Sequence, residues 1–166
     1  RRIATFDIEC LDLKADWSPI VCACVKEVNE SNDRGTIKTF IWDKGDDRRL
    51  VRDLSEYLNS IDLVATWYGS RFDWPFLNTR TILHRLAPPL KNFRRDLCLA
   101  ARSFGLLTNN RLASWDRYVS GEANKTSLTL AHKMGVIRGE KKSMDFYVDH
   151  CERDVIATER IYKRVM

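Results

Sequence analysis

The sequence lacks any run of 18 or more apolar residues, so we expect no membrane-spanning helix. It also lacks an apolar signal segment at its start, where Arg1 and Arg2 lead straight into a strand-like pattern, so we do not expect a secreted protein. No CxxC pair occurs, and the five cysteines are odd in number. This pattern indicates buried, reduced thiols in a cytoplasmic protein, with a zinc site or a disulfide as the alternative.

No internal repeat, low-complexity tract or linker divides the 166 residues, so we expect one domain over residues 1–166. Hydrophobic residues make up 44% of the chain, which is enough for a core of its own. The net charge of +5 is compatible with a polyanionic partner. An ordinary basic protein would carry the same charge, so the placement of the acidic residues has to decide between these interpretations.

Hydrophobic periodicity predicts an α/β fold with a mixed sheet. Three strands joined by tight turns open the chain and indicate an antiparallel meander, with a turn at residues 29–35. The predicted strands cover residues 3–9, 19–28, 36–42, 61–66 and 93–97. The predicted helices cover residues 47–59, 72–86, 98–106, 128–134 (ended by Gly135) and 143–165, and residues 108–127 are predicted to be extended.

Two carboxylates lie on the first predicted strand. Asp7 and Glu9 are two residues apart, so both side chains point to one face, while Phe6 and Ile8 occupy the other. Like charges in a partly buried place disfavour each other's ionisation unless a cation is present. A divalent metal ion would remove this conflict, although two solvated acids at a strand end are the simpler alternative.

Two further aspartates lie at the start of one predicted helix and inside another. Asp73 opens a helix, where an acid also complements the helix dipole. Asp154 shares a helical face with His150, four residues earlier, where a surface salt-bridge face is the alternative. Four carboxylates on three elements could hold two metal ions about 4 Å apart. Oxygen ligands with few imidazoles suit Mg²⁺ or Mn²⁺ better than zinc.

Three segments of the chain resemble the three exonuclease motifs of the DnaQ-like (DEDD) 3′–5′ exonucleases, especially the proofreading domain of family B DNA polymerases and their stand-alone relatives. The segments are Phe6-Asp7-Ile8-Glu9, Phe72-Asp73-x-Pro-Phe-Leu77 and His150-x-x-x-Asp154. The resemblance covers nearly the whole chain in the right order. It implies an RNase H-like fold, with a mixed five-stranded sheet flanked by helices, and two Mg²⁺ or Mn²⁺ ions.

The resemblance also implies a role for each acid. Asp7 would contact both ions, Glu9 would orient the attacking water, Asp154 would hold the first ion and Asp73 the second, partly through water. The family B pattern has a tyrosine four residues before the last aspartate, where this chain has His150. An imidazole suits proton transfer from water near neutral pH. The remaining candidate for that task is Tyr147.

The expected substrate contacts surround the middle motif. Tyr68 stands where the family often has an asparagine, and it could stack on a terminal base with help from Trp67 or Trp74. Packing in the core or at its rim is the alternative for these aromatic residues. Tyr68, Arg71, Phe72 and Trp74 are therefore the predicted substrate-binding residues. Asp96 resembles an acid that follows the second motif in relatives, and helix capping explains it equally well.

Basic residues are expected to surround the acidic site and to guide a single strand inward. His84 and His132 lie on predicted helices away from the motifs and are expected to be structural. The basic candidates are Arg71, Arg80, Arg94, Arg95, Arg102, Arg111, Arg117, Lys125, Lys133, Arg138, Lys141 and Lys142.

The function expected from these patterns is metal-dependent 3′–5′ exonuclease activity on single-stranded nucleic acid, with DNA as the expected substrate. An exoribonuclease with the same chemistry is one alternative, because contacts to a 2′-hydroxyl are not legible from residue types. A non-catalytic nucleic-acid-binding module that keeps the fold is another. We also expect a cytoplasmic or nucleoid-associated protein with no membrane partner, and a larger parent polypeptide or a replication or repair partner.

Overall fold

A five-stranded mixed sheet forms the centre of the computed structural model, which describes residues 1–30, 36–122 and 126–166. The strand order is β3-β2-β1-β4-β5. β1 pairs antiparallel with β2, β2 pairs antiparallel with β3, and the pairs β1–β4 and β4–β5 are parallel. The strands are β1 (Ile3–Cys10), β2 (Ile20–Glu27), β3 (Ile37–Ile41), β4 (Leu63–Thr66) and β5 (Phe93–Asp96). The predicted meander and mixed sheet are therefore confirmed.

Helices flank this sheet. Within the described residues they are α1 (Arg48–Asn59), α2 (Asp73–Leu83), α3 (Leu97–Phe104), α4 (Leu112–Ser120), α5 (Leu130–Ile137) and α6 (Lys141–Val165). None of the helices in this described part is long and apolar enough to cross a membrane. The predicted turn at residues 29–35 lies largely outside the described residues, and the basic candidate Lys125 lies outside them entirely.

The core is built on β1 and β2. Phe6 and Ile8 are buried on one face of β1, and the ring of Phe6 lies 5.2 Å from that of Trp74 on α2. β2 is buried along almost its whole length, because helices cover both of its faces. Cys22 and Cys24 are fully buried there, and all five cysteines are free thiols. The expectation of buried thiols at Cys22 and Cys24 is thus confirmed.

Asp47 precedes α1 but does not cap it through its side chain. Its buried carboxylate accepts hydrogen bonds from Arg80 at 2.7 and 2.8 Å, from the Ile20 amide at 2.8 Å, and pairs with His84 at 2.6 Å. Burial raises the pKa of Asp47, but these hydrogen bonds outweigh it and lower the pKa below its ordinary value. The cluster ties α1, α2 and the start of β2 together. Arg80 is therefore structural, and its predicted place on the substrate rim is wrong.

A second buried pair ties α6 to the sheet. Lys26 on β2 and Glu159 on α6 are fully buried, with 2.5 Å between Nζ and the carboxylate. The same carboxylate accepts a hydrogen bond from the Asn29 amide at 2.9 Å. Buried ions are tolerated when they are paired and hydrogen-bonded in this way. The last helix is thus held against the sheet one turn beyond Asp154.

The segment 108–127 is not extended throughout, because α4 occupies Leu112–Ser120. Trp115 is fully buried, and the buried carboxylate of Asp116 accepts two hydrogen bonds from Arg160 on α6, at 2.8 and 2.7 Å. These tertiary contacts stabilise a helix whose apolar residues Leu112, Trp115 and Val119 follow helical spacing and pack into one cluster. Gly121 then ends the helix in a left-handed conformation, with φ of 77°.

Gly135 does not end α5, which continues to Ile137. A Cβ atom added at this glycine would lie 1.9 Å from the Oγ atom of Ser143. Gly135 is therefore a point of close approach between α5 and α6, and its place in the fold comes from helix packing. α6 itself begins at Lys141, two residues before the predicted start.

Candidate active site

Asp7 and Glu9 lie near the carboxyl end of β1 and face α6. The Oδ2 atom of Asp7 is 3.6 Å from the Cys151 thiol, and the Oε1 atom of Glu9 is 3.7 Å from Nε2 of His150. A bulge in the pairing of β1 with β2 follows directly after Glu9. The period of two predicted that both acids share one face, and the structure agrees.

Asp73 joins these acids from the other side. It is the first residue of α2 and is only 2% exposed. Its Oδ1 atom accepts a hydrogen bond of 3.1 Å from the amide of Ile8, which lies between the two acids of β1. This hydrogen bond fixes the start of α2, which carries Asp73, against β1, which carries Asp7 and Glu9.

Asp154 and His150 complete the group from α6. Nε2 of His150 lies 3.6 Å from Oδ2 of Asp154 and 3.7 Å from Oε1 of Glu9. The Nδ1 atom of the same ring lies 2.7 Å from Oγ1 of Thr126. Potential ligand atoms of Glu9, His150 and Asp154 lie within 4.8 Å of one another, as do those of Asp7, Glu9 and Cys151.

The acids strongly perturb one another. Burial, followed by repulsion from neighbouring carboxylates, raises the pKa of Asp7 and of Glu9 well above their ordinary values. Burial also raises the pKa of Asp73 to about 7, although hydrogen bonds from backbone amides oppose the rise. Asp154 is among the carboxylates that raise the pKa of all three. The cluster is therefore one electrostatic unit whose ionised carboxylates repel one another.

Carboxylate oxygen atoms are the most numerous potential donors of this cluster, beside the ring nitrogen of His150 and the thiol of Cys151. Burial raises the pKa of the Cys151 thiol well above its ordinary value, which disfavours the thiolate. Hard oxygen donors are the set that Mg²⁺ and Mn²⁺ prefer. The residues present therefore fit a divalent cation of that class.

Comparison with known proteins agrees with this fold. The sequence profile described as the RNase H superfamily matches residues 4–166. The chain belongs to the RNase H superfamily. A search of curated protein sequences finds no match. Among solved structures, it is similar to the family B DNA polymerase from the hyperthermophilic archaeon Pyrobaculum calidifontis, with a TM-score of 0.80 and 18% identity.

That match covers 98% of this chain and 24% of the polymerase chain, so this sequence spans about a quarter of its relative. The RNase H-like fold and the resemblance to this polymerase group are thus confirmed at the level of the fold. Membership of the RNase H superfamily supports a nuclease, a hydrolase that acts on nucleic acid and generally uses divalent metal ions.

The predicted substrate residues of this superfamily member lie in different environments. Tyr68 is 49% exposed and adopts a left-handed conformation, with φ of 59°. Arg71 is exposed, and Phe72 is half-buried with its ring 5.5 Å from that of Phe76. Trp74 is 4% exposed. Its burial favours the packing role, while a substrate contact stays a prediction for the other three.

Asp96 performs the capping role and a second one. One carboxylate oxygen accepts from the Cys98 amide at 3.1 Å and caps α3. The carboxylate also accepts from the amides of Tyr68 and Ser70 at 3.1 Å, and from the Ser70 hydroxyl. It thereby holds the turn that carries Tyr68. Its position before a helix predicted the cap, but nothing in the sequence indicated the turn.

Arg94 is one of the predicted basic residues around the site, and the sequence does not indicate its contact with Trp74. Its guanidinium lies 3.7 Å from the centre of the Trp74 ring, and burial lowers its pKa from the ordinary value. Among the described residues, no carboxylate forms an ion pair with it. It borders a cavity of about 600 Å³ that Arg95, Asp96 and Ser70 also line. A cavity with two arginines and one aspartate in its wall thus lies beside the middle motif.

A third acidic group, Asp46, Asp47 and His84, also has ligand atoms within 4.8 Å of one another. Arg80 already neutralises Asp47 through two hydrogen bonds, so this cluster has no need of a cation. His84 is structural, as predicted. His132 is structural too, since its ring stacks on Phe146 at 3.8 Å and its Nδ1 atom accepts from the Thr129 amide.

Tyr147 is the second candidate for proton transfer. It is fully buried, its hydroxyl has no hydrogen-bond partner among the described residues, and burial followed by the charge of Glu9 raises its pKa. His150 is partly exposed, and its Nε2 atom faces both Glu9 and Asp154. The geometry therefore favours His150.

Proposed function

We propose that this chain is a metal-dependent 3′–5′ exonuclease that acts on single-stranded nucleic acid, with DNA as the expected substrate. One observation carries the proposal: Asp7 and Glu9 on β1, Asp73 on α2 and Asp154 on α6 form one partly buried, mutually repelling group. Residues so arranged lower stability unless they serve a charged ligand. The RNase H superfamily membership supports a nucleic acid as the substrate.

Two divalent ions, Mg²⁺ or Mn²⁺, are the proposed cofactors. Asp7, Glu9, Asp73 and Asp154 would hold them through carboxylate oxygens. When bound, such ions supply positive charge that stabilises the scissile phosphate and the leaving oxygen. The chain's own contribution is to fix the carboxylates, and the hydrogen bond from Ile8 to Asp73 does this at the centre of the site.

His150 is the proposed proton acceptor. Nε2 lies between Glu9 and Asp154, at 3.7 and 3.6 Å, and can take a proton from a water molecule held at that place. Glu9 and Asp154 both face this place, and Glu9 is the carboxylate proposed to orient such a water. Tyr147 is the alternative acceptor, but its buried hydroxyl and raised pKa make it the weaker acid–base group at neutral pH.

The strand is proposed to enter beside the middle motif. Tyr68 is exposed on the turn that Asp96 holds, and can stack on a base. Arg94 and Arg95 border the adjacent cavity and can contact phosphates. Arg71 and Phe72 complete the proposed substrate surface. Residues 1–166 would form the exonuclease domain, in a larger parent polypeptide or with a replication or repair partner.

The proposal is tested with 5′-labelled single strands of matched DNA and RNA sequence in Mg²⁺ or Mn²⁺. We expect stepwise shortening of the labelled strand from its 3′ end. A strand with a blocked 3′ terminus should stay intact. Asp7→Asn should abolish cleavage while the chain stays folded. Asp145→Asn is the matched control, because Asp145 is an exposed acid on α6 that pairs with Lys141 at 2.6 Å.

Each alternative has its own outcome in this experiment. Preferential shortening of the RNA strand would replace the DNA assignment with an exoribonuclease. Tight binding of both strands without cleavage in either metal would support the non-catalytic binding module. Cleavage by Asp7→Asn at the wild-type rate would contradict the proposed site.

A further inference from the structure

The imidazole of His150 is held from both sides. Nε2 faces the carboxylates of Glu9 and Asp154, and Nδ1 faces the hydroxyl of Thr126 at 2.7 Å. The His150 side chain is 16% exposed, so water has little access to replace this hydroxyl. The one ring nitrogen that does not face the acids therefore has a protein partner.

We propose that Thr126 is a positioning residue for His150, an inference that rests on the proposed nuclease function. A hydroxyl can donate or accept a hydrogen bond, and its hydrogen rotates to suit the partner. When its oxygen accepts a hydrogen bond from Nδ1–H, Thr126 stabilises the tautomer in which the unprotonated Nε2 atom is directed at the site and can accept a proton.

The alternative orientation of the ring shows what the hydroxyl contributes. A half-turn of the imidazole about its bond to Cβ would exchange the ring nitrogens for ring carbons at both contacts. Nδ1 would lose the Thr126 hydroxyl, and a carbon would face Glu9 and Asp154. Both changes disfavour the rotated ring. If the Thr126 hydroxyl is removed by substitution, only the contacts with Glu9 and Asp154 still disfavour it. Without this hydroxyl, a smaller fraction of molecules should have Nε2 in place.

The last two helices have other contacts with each other besides this one. α5 meets α6 through the close approach of Gly135 to Ser143 and through the stacked rings of His132 and Phe146. Thr126 lies before α5 and reaches His150 across 24 positions of sequence. Removal of its hydroxyl should therefore affect the ring of His150 more than the fold.

The chain offers a matched control. Thr129 holds Nδ1 of His132 at 2.9 Å, in the same type of threonine–histidine contact but within the capping box of α5. Thr126→Val and Thr129→Val each remove a hydroxyl that faces a histidine Nδ1 atom, and only the first contacts the proposed site. The Thr129 hydroxyl also caps α5, and the Thr129 amide still donates to Nδ1 of His132 in the variant. Thr126→Ser retains the hydroxyl and serves as the conservative variant.

The first measurement is independent of activity. In a long-range ¹H–¹⁵N spectrum the three histidines of the chain give three sets of ring signals. We expect Thr126→Val to shift the Nδ1 signal of His150 and leave that of His132, and Thr129→Val to do the reverse. An unchanged His150 signal in folded Thr126→Val would overturn the inference, whether or not the chain is a nuclease.

The second measurement is the rate of strand shortening. We expect Thr126→Val to lower kcat about 10-fold to 100-fold, within the range for partners that orient a reactive histidine, with KM changed by less than about twofold. Thr126→Ser should recover most of the rate, and Thr129→Val should keep it. In a His150→Ala background, Thr126→Val should have no further effect. An equal loss in that background would show that Thr126 does not act through His150.

Discussion

Removal of one charge from the acidic site should stabilise the metal-free protein. The pKa of Asp73 rises from an ordinary 3.8 to about 7 in the folded chain, because the carboxylate is buried. The folded state therefore retains a proton that the unfolded chain releases above about pH 4. The stability that this proton contributes is fully present below about pH 4 and is lost as the pH rises through about 7. Above pH 8 the ionised Asp73 carboxylate therefore lowers the free energy of unfolding by about 4 kcal/mol relative to its protonated form.

Asp73→Asn keeps the shape of the side chain and an oxygen that can accept the hydrogen bond from Ile8. In chelator at about pH 8 we expect it to raise the free energy of unfolding by about 2–4 kcal/mol, since the amide accepts hydrogen bonds more weakly than a carboxylate. Near pH 4 the two proteins should differ by less than about 0.5 kcal/mol, because Asp73 is largely protonated in the folded state at that pH.

Urea unfolding followed by tryptophan fluorescence measures both free energies at each pH. Asp145→Asn, on the exposed surface of α6, controls for the loss of a charge as such and should show no comparable gain. Addition of Mg²⁺ or Mn²⁺ should stabilise the wild type more than Asp73→Asn, because ligand binding to the folded state adds to its stability. Equal stability of Asp73→Asn and the wild type across this pH range in chelator would refute the electrostatic reasoning.

Three other substitutions test the scaffold and the strand path. Glu159→Gln should lower the free energy of unfolding by about 3–5 kcal/mol in urea, because it leaves Lys26 buried without an ionic partner. Asp116→Asn should weaken the anchor to Arg160 and raise amide hydrogen exchange in α4 more than in the sheet. Arg94→Ala should weaken single-strand binding and reduce the slope of log affinity against log salt by about 1, measured by fluorescence anisotropy; an unchanged slope would place the strand elsewhere.

The elements predicted from the sequence are those with a local signal. The period of two on β1 predicted that Asp7 and Glu9 share a face, and the spacing of four on α6 predicted the same for His150 and Asp154. Both patterns depend only on backbone geometry, which the residue spacing determines. The convergence of these two elements with Asp73 was predicted from the resemblance of the motifs, because spacing alone does not relate distant segments.

The features that were missed depend on contacts between distant segments. α4 has a short apolar period in Leu112, Trp115 and Val119, and the pairing of Asp116 with Arg160, 44 positions away, holds it against α6. Gly135 has the residue type of a helix end, but its lack of a side chain serves the approach of Ser143. In both cases the neighbour that decides the structure lies outside any local window of sequence.

The scaffold around the acids explains why repulsion cannot be relieved by movement. On α6, the Val155 carbonyl next to Asp154 accepts a hydrogen bond of 2.9 Å from the Thr5 hydroxyl on β1. One turn later Glu159 pairs with Lys26 on β2. These two buried contacts fix α6 against β1, which carries Asp7 and Glu9, and against its neighbour β2, so the backbone segments that carry the carboxylates cannot separate without breaking them. Protonation or a bound cation therefore remains as the means of relief, and a divalent cation becomes the more effective of the two as rising pH removes the protons from these carboxyl groups.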